Sequence, residues 1–294
     1  MIKTIKNYII LGRFNNPTGA LLLAWPCLWG VIMAKPEFLI FFKYTILLFI
    51  GSFILRAAGC AWNDILDRNI DKKTNRTKNR PIASGKLTVL DGLVFIFLMF
   101  VIGLYILYNL SLPAIIISII SIPLIIIYPL TKRITFFPQI WLGITFNIGI
   151  LIGYSCITNN YPNLIILTLY IGAIFWTIGY DTLYAMQDYE DDKITGVKST
   201  ATKMKHNSGL FAAFAYFISS IIFSISLLLN NFNLLIIVLV IALGLWQTFY
   251  AAYTKITDTH KFNKGFNNSN LCGFLMWLAT VSYTHLTLPT KRIV

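Results

Sequence analysis

Residues 39–71 read LIFFKYTILLFIGSFILRAAGCAWNDILDRNID, an apolar run from Leu39 to Trp62 broken only by Lys43 and Arg56, followed at once by three aspartates. A helix needs roughly 20 mostly apolar residues to cross the hydrocarbon core of a bilayer. This stretch is long enough to span. Its end is the unusual part: Asp64, Asp67 and Asp71 are spaced i, i+3, i+7, which puts all three carboxylates on one face of a helix with Asn63 beside them. Three like charges on one face repel unless a cation sits between them.

Runs of the same kind recur on both sides. Candidate spans lie near 15–34, 39–62, 89–109, 112–130, 136–157, 163–186, 208–229 and 232–253, and a ninth apolar run starts at Leu271. Pro26 and Pro123 fall inside spans, where neighbouring helices can satisfy the carbonyls they free. Over the 294 residues 57% are hydrophobic and only 12% charged, about half the charged fraction of a soluble domain. The formal charge of +13 therefore does not indicate a nucleic-acid partner. The fold class is all-α, a polytopic integral membrane helical bundle of eight complete transmembrane helices plus a truncated ninth, in one domain over residues 1–281.

Cations give the orientation, because Lys and Arg concentrate in cytoplasmic loops. With alternating sides, Lys3, Lys6 and Arg13, the loop from Arg68 to Lys86, Lys132 and Arg133, the loop from Lys193 to Lys205, and Lys255, Lys261 and Lys264 share one face. The opposite face keeps Lys35 and Lys43. The N-terminus is predicted to be cytoplasmic, and its short apolar stretch YIILG with no small-residue cleavage site does not read as a signal peptide. Cys27, Cys60, Cys156 and Cys272 all lie in apolar runs without metal-ligand spacing, so they read as buried packing residues.

Acids are the rarer and more telling residues. Of eleven, eight fall in two clusters: Asp64, Asp67 and Asp71, then Asp181, Asp188, Glu190, Asp191 and Asp192. Asp181, Asp188 and Asp192 are spaced i, i+7, i+11, again one helical face, with Asp191 adjacent and Glu190 turned away. Both clusters sit at cytoplasmic ends of spans. Carboxylates are hard oxygen ligands, and Mg²⁺ is commonly held by one or two of them plus water and substrate phosphate oxygens. The loop beside the first cluster supplies Lys72, Lys73, Arg76, Lys78, Arg80 and Lys86 with no acid among them. Acids for a metal and cations for phosphate oxygens suit a diphosphate leaving group. Arg56 lies two helical turns deeper than Asn63 on nearly the same face. It could pair with Asp64 or a carbonyl; the sharper reading is a planar fork for the carboxylate of a second substrate.

At these residues the chain resembles the intramembrane aromatic prenyltransferase superfamily, and most closely its 4-hydroxybenzoate polyprenyltransferase branch. The motif NDxxDxxxD stands at Asn63, Asp64, Asp67 and Asp71, preceded by RAAGC and followed by NRPIASG at 79–85; the second motif is YDTLYAMQDYEDD at 180–192 with GVKST after it; YPLTKR at 128–133 matches a third family element. The resemblance runs from about Arg13 to Leu278. It implies nine helices around a central cavity and a Mg²⁺-dependent transfer of a polyprenyl group from polyprenyl diphosphate to the ring of 4-hydroxybenzoate, ortho to its hydroxyl, in ubiquinone biosynthesis at a bacterial inner membrane.

The resemblance further implies Asp64, Asp67, Asp71, Asp188 and Asp192 as metal ligands, and Arg76, Lys132 and Lys198 as phosphate contacts. Arg56 would hold the acceptor carboxylate, and Tyr128, Tyr154, Tyr180 and Tyr184 are aromatic faces for an allylic cation. Asn63 or an aspartate such as Asp191 could orient the phenol or accept a proton. Other branches, transferring farnesyl to haem or prenyl groups to menaquinone precursors or homogentisate, share the acid motifs but differ in the acceptor pocket. A cation-coupled transporter fits less well, since transporter sites usually lie at the bilayer midplane.

The chain departs from the family at its end. LCGFLMWLATV stops after eleven residues and gives way to SYTHLTLPTKRIV, of which VSYTHLTLPT resembles one frame of a sequencing-library adapter. Residues 282–294 are therefore expected to be a non-native read-through tail.

Overall fold

The computed structural model describes residues 2–286. It is helical almost throughout: α1 (Ile2–Leu11), α2 (Thr18–Met33), α3 (Phe38–Asp71), α4 (Val89–Tyr108), α5 (Leu112–Ile134), α6 (Pro138–Thr158), α7 (Leu164–Ala185), α8 (Tyr189–Thr195), α9 (Thr200–Met204), α10 (Ser208–Leu229), α11 (Leu234–Ala252) and α12 (Thr259–Leu286). The apolar runs of the sequence account for the long helices, and local polar residues close their ends. Thr88 and Asp91 form a reciprocal cap at the start of α4, Asn163 and Asn233 accept from the first-turn amides of α7 and α11, and Asn159 ends α6 in the left-handed conformation.

Among the described residues, seven helical stretches are long and apolar enough to cross a membrane. Burial separates them into two kinds: 11% of the apolar window of α4 is buried against 56% in α6. Helix α4 thus turns nearly all its side chains outward, as a lipid-facing helix does, whereas α6 packs inside the bundle. Helix α2 has 16 residues, fewer than the 15–34 span expected of it, and 13 of them are buried. It runs through the bundle centre, where protein rather than lipid covers it.

Small residues set the closest approaches. A Cβ on Gly30 of α2 would collide with the Ile150 carbonyl of α6, and one on Gly153 of α6 with the Cys27 carbonyl of α2. Backbones that touch in this way gain dispersion contacts, which is how helices associate where lipid removes the hydrophobic drive. Behind this seam, Trp29 meets Trp176 edge-on at 5.1 Å and Phe223 at 5.3 Å, and Trp176 meets Tyr180 at 5.0 Å, which anchors α2 to α7 and α10. The four cysteines are free and buried, as expected from their apolar settings.

Three departures from the sequence expectation concern helix ends. Helix α3 continues past the apolar run to Asp71, so the first acid cluster rides on the same rigid rod as the span. The second cluster does not share one helix: α7 ends at Ala185, a tight turn covers Met186–Asp188, and α8 starts anew at Tyr189. Helix α12 has 28 residues and begins twelve before Leu271, with Asn267, Asn268 and Asn270 on its first half. Of the expected tail, residues 282–286 form the last turn of that helix and 287–294 lie outside the described residues.

Candidate active site

A cavity of about 700 Å³ opens at the end of the bundle where both acid clusters lie, walled by α2, α3, α5, α6, α7 and α12. Its rim carries charge: Arg13, Asp64, Asp71, Arg76, Arg80, Lys132, Asp188, Asp192 and Lys198. Its floor is different. There the lining is Leu22, Leu142, Thr145, Phe146, Tyr128 and Tyr180, with Arg56 on α3 and Asp181 on α7 as its guanidinium and its carboxyl group.

Each acid of the first cluster is held by cations from other elements. Asp64, 1% exposed, receives both oxygens' hydrogen bonds from Arg13 Nη2 at 2.7 and 2.9 Å and a third from Arg80 Nη1 at 3.1 Å. Arg13 reaches it from a turn after α1 in which its own φ is +59°, a conformation that non-glycine residues seldom adopt and that commonly marks a functional constraint. Arg80 also bonds Asp71 at 3.0 Å, so one guanidinium bridges two carboxylates a helical spacing apart. Asp67 pairs with Lys132 on the last turn of α5, with Arg133 Nη2 at 3.5 Å. Lys132 thereby screens Asp67 from the cavity that it lines itself. Such pairing is what lets three carboxylates share a buried face.

Arg76 ties the two clusters together. It belongs to the loop between α3 and α4, and its fork engages Asp188 through Nε at 2.7 Å and Nη2 at 2.6 Å, while Nη1 donates to the Tyr184 hydroxyl at 3.0 Å. Burial opposes the charge on Arg76, but the Asp188 and Tyr184 hydrogen bonds outweigh it and hold its pKa above the usual arginine value. Asp191 serves the same seam, accepting from the Asn75 amide at 3.2 Å. It lies off the cavity lining, so the structure turns it away from any phenol at the floor. Asp192 faces the cavity and its carboxylate accepts from Ser199 Oγ at 3.5 Å; among the described residues no cation lies within ion-pair distance of it. Lys198 joins the rim because its amide donates to the Lys132 carbonyl at 2.9 Å, which docks the segment after α8 on the end of α5.

Arg56 is not paired with Asp64, which Arg13 and Arg80 occupy. Its Nε is buried with no hydrogen-bond partner, and its guanidinium lies 5.4 Å from the Phe146 ring centroid. Gly19 of α2 makes room for it: a Cβ there would stand 2.9 Å from Arg56 Nε and Nη2. Asn63 lines the cavity between this floor and the rim. Tyr128, Tyr180 and Tyr184 line it too, whereas Tyr154 is elsewhere, its hydroxyl accepting from Asn163 at 3.2 Å. Phe146, Phe266 and Arg13 belong to the site without having been singled out in the sequence, and Arg80, read there only as one of the loop cations, is a partner of the carboxylates. For the two arginines the available signal was charge balance, since an acid face this buried requires cations from somewhere.

The donor set suits a hard divalent cation. The carboxylates that line the cavity offer only oxygen, and no imidazole lines it. Among the described residues no three of these side chains form a ready-made cage.

The fold and site define a class: a polytopic helical membrane protein with an acid-walled, cation-rimmed cavity at one end of its bundle. Residues 23–271 match the UbiA prenyltransferase family, and the chain belongs to that family. It is 45% identical over 208 residues, 70% of the chain, to the mitochondrial 4-hydroxybenzoate polyprenyltransferase of Arabidopsis thaliana. It is 40% identical over 206 residues to 4-hydroxybenzoate geranyltransferase 1 of Lithospermum erythrorhizon, and 39% over 207 to the mitochondrial 4-hydroxybenzoate polyprenyltransferase of Rattus norvegicus. These matches cover 51%, 65% and 55% of the relatives, so the chain spans about half the length of the curated proteins it matches. The solved structure of a UbiA homologue from Archaeoglobus fulgidus bound to GPP and Mg²⁺ superposes with a TM-score of 0.73 at 17% identity, covering 95% of this chain and 99% of that one. A homologue from Aeropyrum pernix gives 0.72 at 19% identity, covering 89% and 96%. At such identities the likeness is one of fold.

Proposed function

We propose that the chain transfers a polyprenyl group from polyprenyl diphosphate to 4-hydroxybenzoate, ortho to the hydroxyl, releasing diphosphate, as a step of ubiquinone biosynthesis. One observation carries the reading: Asp64 and Asp71 of the first cluster, Asp188 and Asp192 of the second, and Arg56 line one cavity, with these carboxylates at its rim and Arg56, its Nε without a hydrogen-bond partner, at its floor. The names of the curated relatives support the acceptor and the donor class.

Asp64, Asp67, Asp71, Asp188 and Asp192 would hold Mg²⁺, which when bound neutralises the diphosphate and makes it a better leaving group. Arg76, Lys132 and Lys198 add donors at the same rim and take up phosphate oxygens, with Arg76 and Lys132 exchanging carboxylate partners for phosphate ones. The allylic carbon–oxygen bond then breaks with its electron pair leaving on diphosphate. Tyr128 and Tyr180 line the cavity below the rim and Tyr184 lines it beside Arg76, and a ring quadrupole at these places stabilises an allylic cation. The apolar walls between rim and floor exclude water that would otherwise capture the cation. Arg56 binds the acceptor carboxylate and so fixes which ring carbon faces upward.

The multi-pass membrane location follows from the long apolar helices. Sidedness is part of the proposal: the end bearing the site also bears the dense loop cations, which places it on the cytoplasmic side of a bacterial inner membrane. The direct test supplies the purified full chain with labelled 4-hydroxybenzoate, a polyprenyl diphosphate and Mg²⁺. Prenylated acid that disappears on chelation supports the reading. Absence of any prenylated acid at saturating Mg²⁺ overturns it in favour of another acceptor.

A further inference from the structure

The floor of the cavity holds a second ionisable group that neither the metal nor the diphosphate requires. Asp181 lies on α7 seven residues before Asp188, and Arg56 lies on α3 eight residues before Asp64. At about 1.5 Å per residue Arg56 sits roughly 12 Å below Asp64 along α3, and Asp181 lies one helical turn inside the end of α7, on a different wall, with Asp188 in the turn beyond that end. Asp181 lines the cavity, and among the described residues no Lys, Arg or His stands within ion-pair distance of it. The Gln139 side chain lines the cavity with it and is the polar neighbour that acts on its carboxylate. Gln139 is itself locked, because its Oε1 accepts from the buried Thr200 amide at 3.2 Å. Arg56 is the cation nearest in influence, yet its Nε remains without a partner. The two charges face the same small space without closing on each other.

Resting on the proposed reaction, we infer that Asp181 receives the hydroxyl of the aromatic acceptor while Arg56 receives its carboxylate, so that the floor is a two-ended site selecting a hydroxylated aromatic acid. The hydroxyl donates to Asp181, and Gln139 keeps that carboxylate in place. When the ring carbon ortho to the hydroxyl forms the new bond to the allylic carbon, the hydroxyl proton passes to Asp181 and the ring becomes a dienone. The ortho hydrogen then leaves to the ring oxygen, which restores the phenol, and the proton on Asp181 returns to water. One proton and one diphosphate are released per turnover. Asp191, off the lining, takes no part in this.

The test uses the full chain in nanodiscs with 4-hydroxybenzoate as substrate, and benzoate and 4-methoxybenzoate as competing inhibitors that cannot donate. With the wild type, both analogues are expected to bind at least about tenfold more weakly than 4-hydroxybenzoate, since a site built to hydrogen-bond a hydroxyl rejects ligands lacking it. In Asp181→Asn, kcat/KM for 4-hydroxybenzoate should fall about 100-fold, the low end of a general-base contribution. Benzoate inhibition and KM for the diphosphate should stay as in the wild type. Asp181→Glu should recover part of the loss. Wild-type analogues that bind as tightly as 4-hydroxybenzoate, an Asp181→Asn enzyme within threefold of wild type, or parallel loss of benzoate binding would each overturn the inference. The analogue comparison needs no variant, so a misfolded Asp181→Asn does not remove the test. A wild type that forms no prenylated acid at all would instead overturn the reaction on which the inference rests.

Discussion

At the scale of single residues, Asp181 and Asp192 stand without a cation partner among the described residues, while Asp64, Asp67, Asp71 and Asp188 are each held by one. Arg80 is the clearest such cation, since it alone bridges Asp64 and Asp71. Breaking a buried ion pair by removing one partner typically costs about 3–5 kcal/mol, because a charge is left unpaired. Arg80→Ala should therefore lower the thermal midpoint, and added Mg²⁺ should recover more of that loss than it adds to the wild type. Equal Mg²⁺ shifts in both proteins would separate these carboxylates from the metal. Asp64→Ala and Asp188→Ala are expected to abolish prenyl transfer, with product formation as the readout. Arg56→Ala should raise KM for 4-hydroxybenzoate at least tenfold with little change for the diphosphate, measured by steady-state kinetics. An equal loss for both substrates would move Arg56 to the phosphate site. The aspartate spacing and the depth of Arg56 were legible in the sequence because one helix carries them. The pairing of Asp64 with Arg13 was not, because 51 residues separate them and only folding sets that distance.

At the scale of elements, rigidity and articulation are divided between the two walls. Helix α3 presents its three aspartates on an unbroken rod, whereas the second cluster is split between the end of α7, a tight turn and α8. The i, i+7, i+11 spacing suggested a single face because an acid-rich sequence without Gly or Pro gives no local signal for a break. The break lets Asp188 turn toward Arg76 while Asp191 turns toward the Asn75 amide. The loop after α3 is thus fastened to α8 by side chains that a substrate phosphate can compete for. Arg76→Ala should increase amide exchange in the loop and in α8 while leaving α2 and α6 protected, as followed by hydrogen–deuterium exchange. No change in the loop would mean that Arg76 is not its fastener. The α2–α6 seam gives the opposite case: Gly153→Val puts side chain into the Cys27 carbonyl, and a fall in thermal midpoint of several degrees is expected.

At the scale of the whole molecule, the bundle gathers charge at one end and leaves lipid-facing helices such as α4 around the rest. A cysteine placed at Lys78 should react with a membrane-impermeant maleimide only from the cytoplasmic face, and one at Tyr161 only from the other; the reverse pattern would invert the proposed sidedness. What the sequence determined by itself is what local chemistry encodes: apolar runs long enough to span, cations concentrated in alternate loops, and acids too rare to be accidental solvation. Each is set by how a short segment partitions between water and hydrocarbon. What only the tertiary structure decided is which of those charges meet. It seats Asp181 beside the floor and Asp191 outside the cavity, brings Arg13 and Arg80 onto Asp64, and keeps Arg56 from its nearest acid. The reason is physical: charges in a medium of low dielectric must be paired or aimed at a ligand, and the partner is chosen by helix packing across the bundle, which sequence spacing does not record.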